Sequence, residues 1–333
     1  MDDTPKDKNN LPVRQEPPEE LGPIDLSSLE VMIGTHSFKD IGGLSKQVDT
    51  MKKFAMAIGD SRRFERYGIN PPKGILLWGG PGRGKSQMAK AFASEIKNYI
   101  PTKDLDTTQV IFTELNLEDF VSKYVGETSK NLNKILGGYT GCIEYNKRKG
   151  MNTKVIVYLD EIDSIGGKRD ESHEAYQKML GVLLKYMDGI HSSDGLYFIG
   201  STNRKDSLDK AFIRPGRFDK LIAVDKYDKG GIRDIFKIHM KKQQKSALET
   251  LYSRMNWKKI EGAISSHNPS GAEIEEILRA SVEYSLWKEV EEGVKKIPLK
   301  TKHILKEIEL FYKGRKDGSK RLIGYNPKDE NRR

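Results

Sequence analysis

Gly74-Ile75-Leu76-Leu77-Trp78-Gly79-Gly80-Pro81-Gly82-Arg83-Gly84-Lys85-Ser86 runs from an apolar stretch through a glycine-rich turn, and Gln87-Met88-Ala89-Lys90-Ala91-Phe92-Ala93 continues it as a good helix former. A strand that passes through glycines into a helix is suited to holding phosphate. The glycines let the backbone wrap around phosphate oxygens, and the helix amino-terminus supplies unpaired N–H groups and partial positive charge. Lys85 is placed to reach the β- and γ-phosphates, and the Ser86 hydroxyl to ligate magnesium. Gly80, Pro81, Gly82, Arg83, Gly84, Lys85, Ser86 and Gln87 are therefore the candidate residues for ATP and Mg2+. A chance glycine-rich turn is the alternative, and the flanking strand and helix argue against it.

A second stretch supports the first independently. Val155-Ile156-Val157-Tyr158-Leu159 reads as a buried strand that delivers Asp160 and Glu161 to its carboxyl end, where open α/β sheets bind ligands. Asp160 is expected to hold the metal, directly or through water, and Glu161 to orient and deprotonate an attacking water. Asp163 has no clear assignment. A further strand, Leu196 to Thr202, ends at Asn203. Its amide is suited either to the γ-phosphate or lytic water, or to capping a turn.

With Val110 to Leu115 and Leu221 to Val224 these make five strand candidates alternating with helical stretches. The fold class is α/β, with a five-stranded parallel sheet flanked by helices. After Asp225 the pattern turns helical: Gly231 to Lys242, Trp257 to Ser266, Gly271 to Glu292 and Lys300 to Tyr312. Ser270 and Glu273 form a capping-box signature at the third of these. The expected organisation is a flexible lead-in over 1–30, a large α/β unit over 31–225, a small all-helical lid over 226–312 and a basic tail over 313–333.

Composition limits the function classes. No apolar run approaches the roughly 20 residues of a membrane-spanning helix, and the acidic, polar start does not read as a secretion signal. With Cys142 as the single cysteine, no intramolecular disulfide or cysteine-based zinc site can form, which fits a reducing, cytoplasmic setting. Cys142 itself reads either as a redox sensor or as an inert packed residue. The net charge of +10 is uneven: 313–333 carries eight Lys or Arg against three acids, whereas 1–22 carries three against six. The tail suits either an acidic partner, nucleic acid included, or simple solvation.

The elements above, in this order, resemble the AAA family of ring ATPases, in the branch of proteasomal unfoldases, membrane-protein extractors and microtubule severers. The resemblance spans about Phe38 to Ala280. It rests on Phe38-Lys39-Asp40-Ile41-Gly42-Gly43-Leu44, Leu159-Asp160-Glu161-Ile162-Asp163, Leu184-Lys185-Tyr186-Met187-Asp188-Gly189 and Leu208 to Asp219, with its Arg214-Pro215-Gly216-Arg217 core. It implies that Asp40, Ile41 and Gly42 line the adenine pocket, and that His239, Gly271 and Ala272 on the lid close over base and ribose. His239 has a purely packing role as its alternative. Asn203 matches the first sensor. Arg214 and Arg217 match arginine fingers that reach the γ-phosphate of a neighbouring subunit in a homo-oligomer, usually a hexamer; taken alone they would read as a loop paired with Asp209 or Asp219.

Lys123-Tyr124-Val125-Gly126-Glu127 resembles the first pore loop of the unfolding members, where Tyr124 and Val125 would grip a polypeptide, although a tyrosine packed on the surface is the plain alternative. Residues 166–174 match the second pore loop by position. In three places the chain departs from the pattern. Gly80 and Arg83 replace a usual proline and threonine, and Leu132-Asn133-Lys134 stands where an arginine is common. The lead-in is short for a substrate-recruiting domain, and the carboxyl end lacks the hydrophobic-Tyr-X sequence by which proteasomal ATPases dock, so no proteasome partner is expected. The resulting expectation is an ATP- and Mg2+-dependent ring ATPase that threads or reshapes a protein client, with or without an adaptor. The alternatives are a nucleic-acid loader or transposition regulator, less favoured for want of a recognition motif, and a dedicated activator of one enzyme.

Overall fold

The computed structural model describes residues 36–69, 71–117, 128–163, 172–188, 194–227, 230–293 and 298–316. Five strands, β1 (Gly74–Trp78), β2 (Thr108–Asn116), β3 (Asn152–Asp160), β4 (Leu196–Thr202) and β5 (Phe218–Ala223), form one parallel sheet in the order β2-β3-β4-β1-β5. Alternating side chains enter opposite layers: Ile75 and Leu77 on one face, Leu76 on the other. A central parallel strand covered on both sides must be apolar at every position, which is why β1, β3 and β4 read so plainly.

One face packs against α1 (Ser45–Gly59) and α3 (Lys85–Ile96), through Met51, Ala55 and Ile58 of the former and Met88, Phe92 and Ile96 of the latter; the short α2 (Ser61–Glu65) lies between them in sequence. The other face receives Leu132, Leu136 and Ile143 of α4 (Thr128–Arg148) and Met179 and Leu183 of α5 (Ser172–Met187). A separate core forms among α6 (Gly231–Ser246), α7 (Trp257–Ile264), α8 (Gly271–Glu292) and α9 (Thr301–Lys316), centred on Phe236, Ile260, Ile274, Ile277, Ile304 and Ile308. The capping box of α8 is present: Glu273 N–H donates to Ser270 Oγ at 3.2 Å, and Ser270 N–H to Glu273 Oε2 at 2.6 Å.

The last strand differs from its expected span of Leu221 to Val224. It begins at Phe218 and carries exposed Asp219, Lys220 and Leu221; β5 is the edge strand of the sheet and lacks a continuous apolar run. Val224 still donates to the Trp78 carbonyl at 2.7 Å. Cys142 is buried and burial pushes its thiol pKa up, in keeping with an inert packed residue. No helix among the described residues is long and apolar enough to cross a membrane. Residues 1–30, Tyr124, Val125, the second pore-loop segment 166–171 and the tail beyond 316 lie outside the described residues.

Candidate nucleotide site

At the carboxyl ends of β1, β3 and β4 the chain forms a cleft of about 360 Å³, bounded on its far side by α6 and α8. Its phosphate side is the loop 79–86. A Cβ on Gly79 would run into the Val224 carbonyl, and Gly82 and Gly84 hold φ of +67° and +90°, so glycine is required by contact at the first and by backbone conformation at the others. Gly84 caps α3, whose first residue is Lys85.

Lys85 is 8% exposed and its ammonium is fully engaged. Nζ donates to the carbonyls of Gly79 and Gly80, each at 2.9 Å, and to Asn203 Oδ1 at 2.6 Å. Burial lowers its pKa, while the carboxylates of Asp160, Asp163 and Glu161 oppose that shift. Asn203 also reaches the other way, Nδ2 donating to Glu161 Oε1 at 3.4 Å. One amide therefore links the phosphate-side cation to the candidate base.

Asp160 is the hub of the metal side. Ser86 Oγ lies 3.5 Å from its Oδ2, the Tyr158 hydroxyl is 2.9 Å from its Oδ1 and 3.0 Å from Ser86 Oγ, and Ser201 Oγ donates to Oδ1. Glu161 N–H donates to Asp160 Oδ1 at 3.0 Å and to Ser201 Oγ at 3.3 Å, which pins Glu161 in the left-handed region at φ +48°. A non-glycine residue held there is strained, and such strain persists only where surrounding bonds over-determine it. Among the described residues no cluster of three or more His, Cys, Asp or Glu would hold a metal unaided. The oxygen donors Ser86 and Asp160 instead suit a hard cation shared with phosphate oxygens, so the residues fit magnesium bound with a nucleotide.

The far wall carries the residues expected at the base. Asp40, Ile41, Gly42, His239, Gly271 and Ala272 all line the cleft. Gln87 Nε2 donates to the Asp40 carbonyl at 3.0 Å, which ties α3 to this segment, and a Cβ on Gly42 would lie 2.8 Å from the Ile235 nitrogen of α6. His239 Nδ1 lies 3.6 Å from Glu275 Oε1; burial lowers its pKa and the Glu275 charge pulls it back.

A glycine phosphate cradle, an acidic pair at the next strand end and a strand-end asparagine thus converge on one cleft, and residues 75–226 match the model of the ATPase family associated with various cellular activities (AAA). These residues form an AAA ATPase domain. The chain is 36% identical over 211 residues to a proteasome-activating nucleotidase of Methanococcus maripaludis, covering 62% of this chain and 46% of the relative. The corresponding enzyme of Methanococcus vannielii is 33% identical over 276 residues, 78% of this chain and 60% of that one. A cell division cycle protein 48 homolog of Archaeoglobus fulgidus is 34% identical over 208 residues, covering 62% and 25%. The chain therefore spans between 25% and 60% of the length of these relatives.

Within this AAA domain the two arginines of Arg214-Pro215-Gly216-Arg217 have different surroundings. Arg214 is exposed. Arg217 makes a bidentate pair with Asp188, Nε to Oδ1 at 2.6 Å and Nη2 to Oδ2 at 2.7 Å, and donates from Nη1 to the Ala211 carbonyl at 2.6 Å. Neither carboxylate offered by the alternative, solvated-loop reading, Asp209 or Asp219, accepts a hydrogen bond from its side chain; Asp219 instead accepts from the N–H of Gly216 and Lys73. The guanidinium holds the Asp188 carboxyl below its ordinary range. Arg217→Ala is expected to cost ~1 kcal/mol as a partly exposed charge pair, lowering the melting temperature by about 2–4 °C. Arg214→Ala should leave it within about 1 °C, as surface changes usually do; equal melting temperatures for the two variants would refute this division.

Two residues of the site are not evident from motifs. Tyr158 precedes Asp160 by two positions and so shares its strand face, and Ser201 approaches from β4; both hold the Asp160 carboxylate. A tyrosine and a serine near the carboxyl ends of buried strands were the available signal.

Proposed function

We propose that this chain is an ATP-hydrolysing subunit of a homo-oligomeric ring, a hexamer, that unfolds or reshapes a protein client by drawing it through a central pore. The observation that carries the reading is the convergence of Lys85, Ser86, Asp160, Glu161 and Asn203 on one cleft while Arg214, from the segment expected to complete a neighbour's site, is exposed. Lys85 and the loop amides bind the phosphates, and Ser86 and Asp160 hold magnesium. The metal, when bound, neutralises charge on the β- and γ-oxygens. Glu161 accepts the proton of the attacking water, Asn203 fixes that carboxylate relative to Lys85, and Arg214 of an adjoining subunit stabilises the charge that develops in the transition state. Similarity to two proteasome-activating nucleotidases supports a protein client rather than nucleic acid.

The test is client unfolding by Tyr124→Ala. Loss of unfolding by about tenfold or more, with ATP turnover within about twofold, is expected if the aromatic ring grips substrate, since a large flat side chain supplies sequence-tolerant contact. Unchanged unfolding at normal turnover would exclude threading past Tyr124.

A further inference from the structure

The phosphate loop carries one residue that the chemistry above does not use. Arg83 extends away from the phosphate side: Nη1 donates to the Pro269 carbonyl at 2.8 Å and Nη2 to the Asn268 carbonyl at 2.8 Å. Its guanidinium carbon also lies 5.2 Å from the centre of the Tyr227 ring. Asn268 adopts the left-handed conformation, φ +46°, at the end of a short 3-10 turn, and the two carbonyls that follow converge on one planar fork. These carbonyls immediately precede Ser270, the amino-cap of α8. A second contact runs beside the first: Ala272 N–H lies 3.4 Å from the Gly82 carbonyl, and a Cβ on Gly82 would come within 3.1 Å of Ala272 Cβ and 3.2 Å of Ser270 Oγ. Loop and lid therefore meet along a direct seam.

Gly80 belongs to the same arrangement. A Cβ there would lie 3.8 Å from Arg83 Nε and 3.9 Å from its Cγ. These are ordinary van der Waals distances, so Gly80 borders the arginine stem and nothing in the structure requires glycine there.

We infer that Arg83 is a positioning residue that pins the amino-terminus of α8 to the phosphate loop and so sets how long the cleft retains a nucleotide. The wall it fixes includes Gly271 and Ala272, which line the cleft opposite Lys85. Because both acceptors are backbone carbonyls, the clasp depends on the planar fork of an arginine rather than on lid side chains, and the shorter stem and point-like ammonium of a lysine match it less well. The inference rests on the reading of this cleft as an ATP site.

The experiment uses the full chain, a fluorescent ADP analogue in stopped flow, and amide hydrogen exchange across 271–275 in the absence of nucleotide. Arg83→Thr is expected to speed analogue dissociation by about five- to tenfold, the loss of a bidentate charge-assisted contact, with the association rate constant within about twofold and faster exchange at 271–275. Arg83→Lys should recover less than half of either difference. Unchanged exchange and dissociation in Arg83→Thr would overturn the clasp, as would full recovery by Arg83→Lys, which would assign the effect to charge alone. Failure of the unsubstituted chain to bind the analogue would count against the ATP-site reading instead, and the exchange measurement would still decide whether Arg83 holds the lid.

Discussion

Glu161→Gln is expected to keep ATP binding and to lower turnover by about a hundredfold or more, the range in which removal of a positioned general base falls. The substitution is nearly isosteric, and the backbone that fixes the residue is untouched: its N–H remains bonded to Asp160 Oδ1 and Ser201 Oγ. The contact with Asn203 Nδ2 can persist through the amide oxygen. What disappears is the ability to accept a proton. Binding should survive because none of the phosphate-side contacts, Lys85 and the glycine loop, passes through Glu161. Phosphate release measured beside a nucleotide titration separates the two effects. Turnover within about threefold of the unsubstituted chain would remove Glu161 as the base. The same variant, held with ATP, should retain its client in a pull-down if hydrolysis drives release.

That prediction comes from residues legible in the sequence because their signal is local. The loop 79–86 and the pair Asp160-Glu161 each lie within a few residues of the strand that delivers them, and β1, β3 and β4 are apolar at nearly every position because helices cover both sheet faces. What was hidden depends on long-range geometry. Half of β5 was missed because exposed Asp219 and Lys220 interrupt the apolar residues of this edge strand. Arg217 finds Asp188, 29 residues earlier in the chain, although Asp209 and Asp219 lie closer in sequence. Tyr158 and Ser201 look like ordinary strand residues until the sheet register brings both to Asp160. Arg83 reaches acceptors 185 and 186 residues away, and backbone carbonyls leave no mark in a sequence.

Lys85→Met should weaken ATP binding by about a hundredfold or more at neutral pH, since it removes charge-assisted contacts each worth about 1.5–3 kcal/mol. The pH dependence gives a sharper test. Burial lowers the Lys85 pKa from its ordinary 10.5, with Asp160, Asp163 and Glu161 working against the shift. Only the protonated amine attracts phosphate, so affinity should fall as pH rises through that lowered value, earlier than for a free lysine. Stability responds with the opposite sign. Between the lowered pKa and 10.5 the unfolded chain binds the proton that the folded chain has released, so this residue's contribution to stability rises with pH across that window. Asp163→Asn removes one of the charges that raise the Lys85 pKa and should move the alkaline fall in affinity to lower pH. Lys85→Met should abolish both trends at this position. Nucleotide affinity and melting temperature followed together from pH 7 upward therefore read one ionisation twice; an alkaline fall in affinity that persists in Lys85→Met would assign the titration to another group.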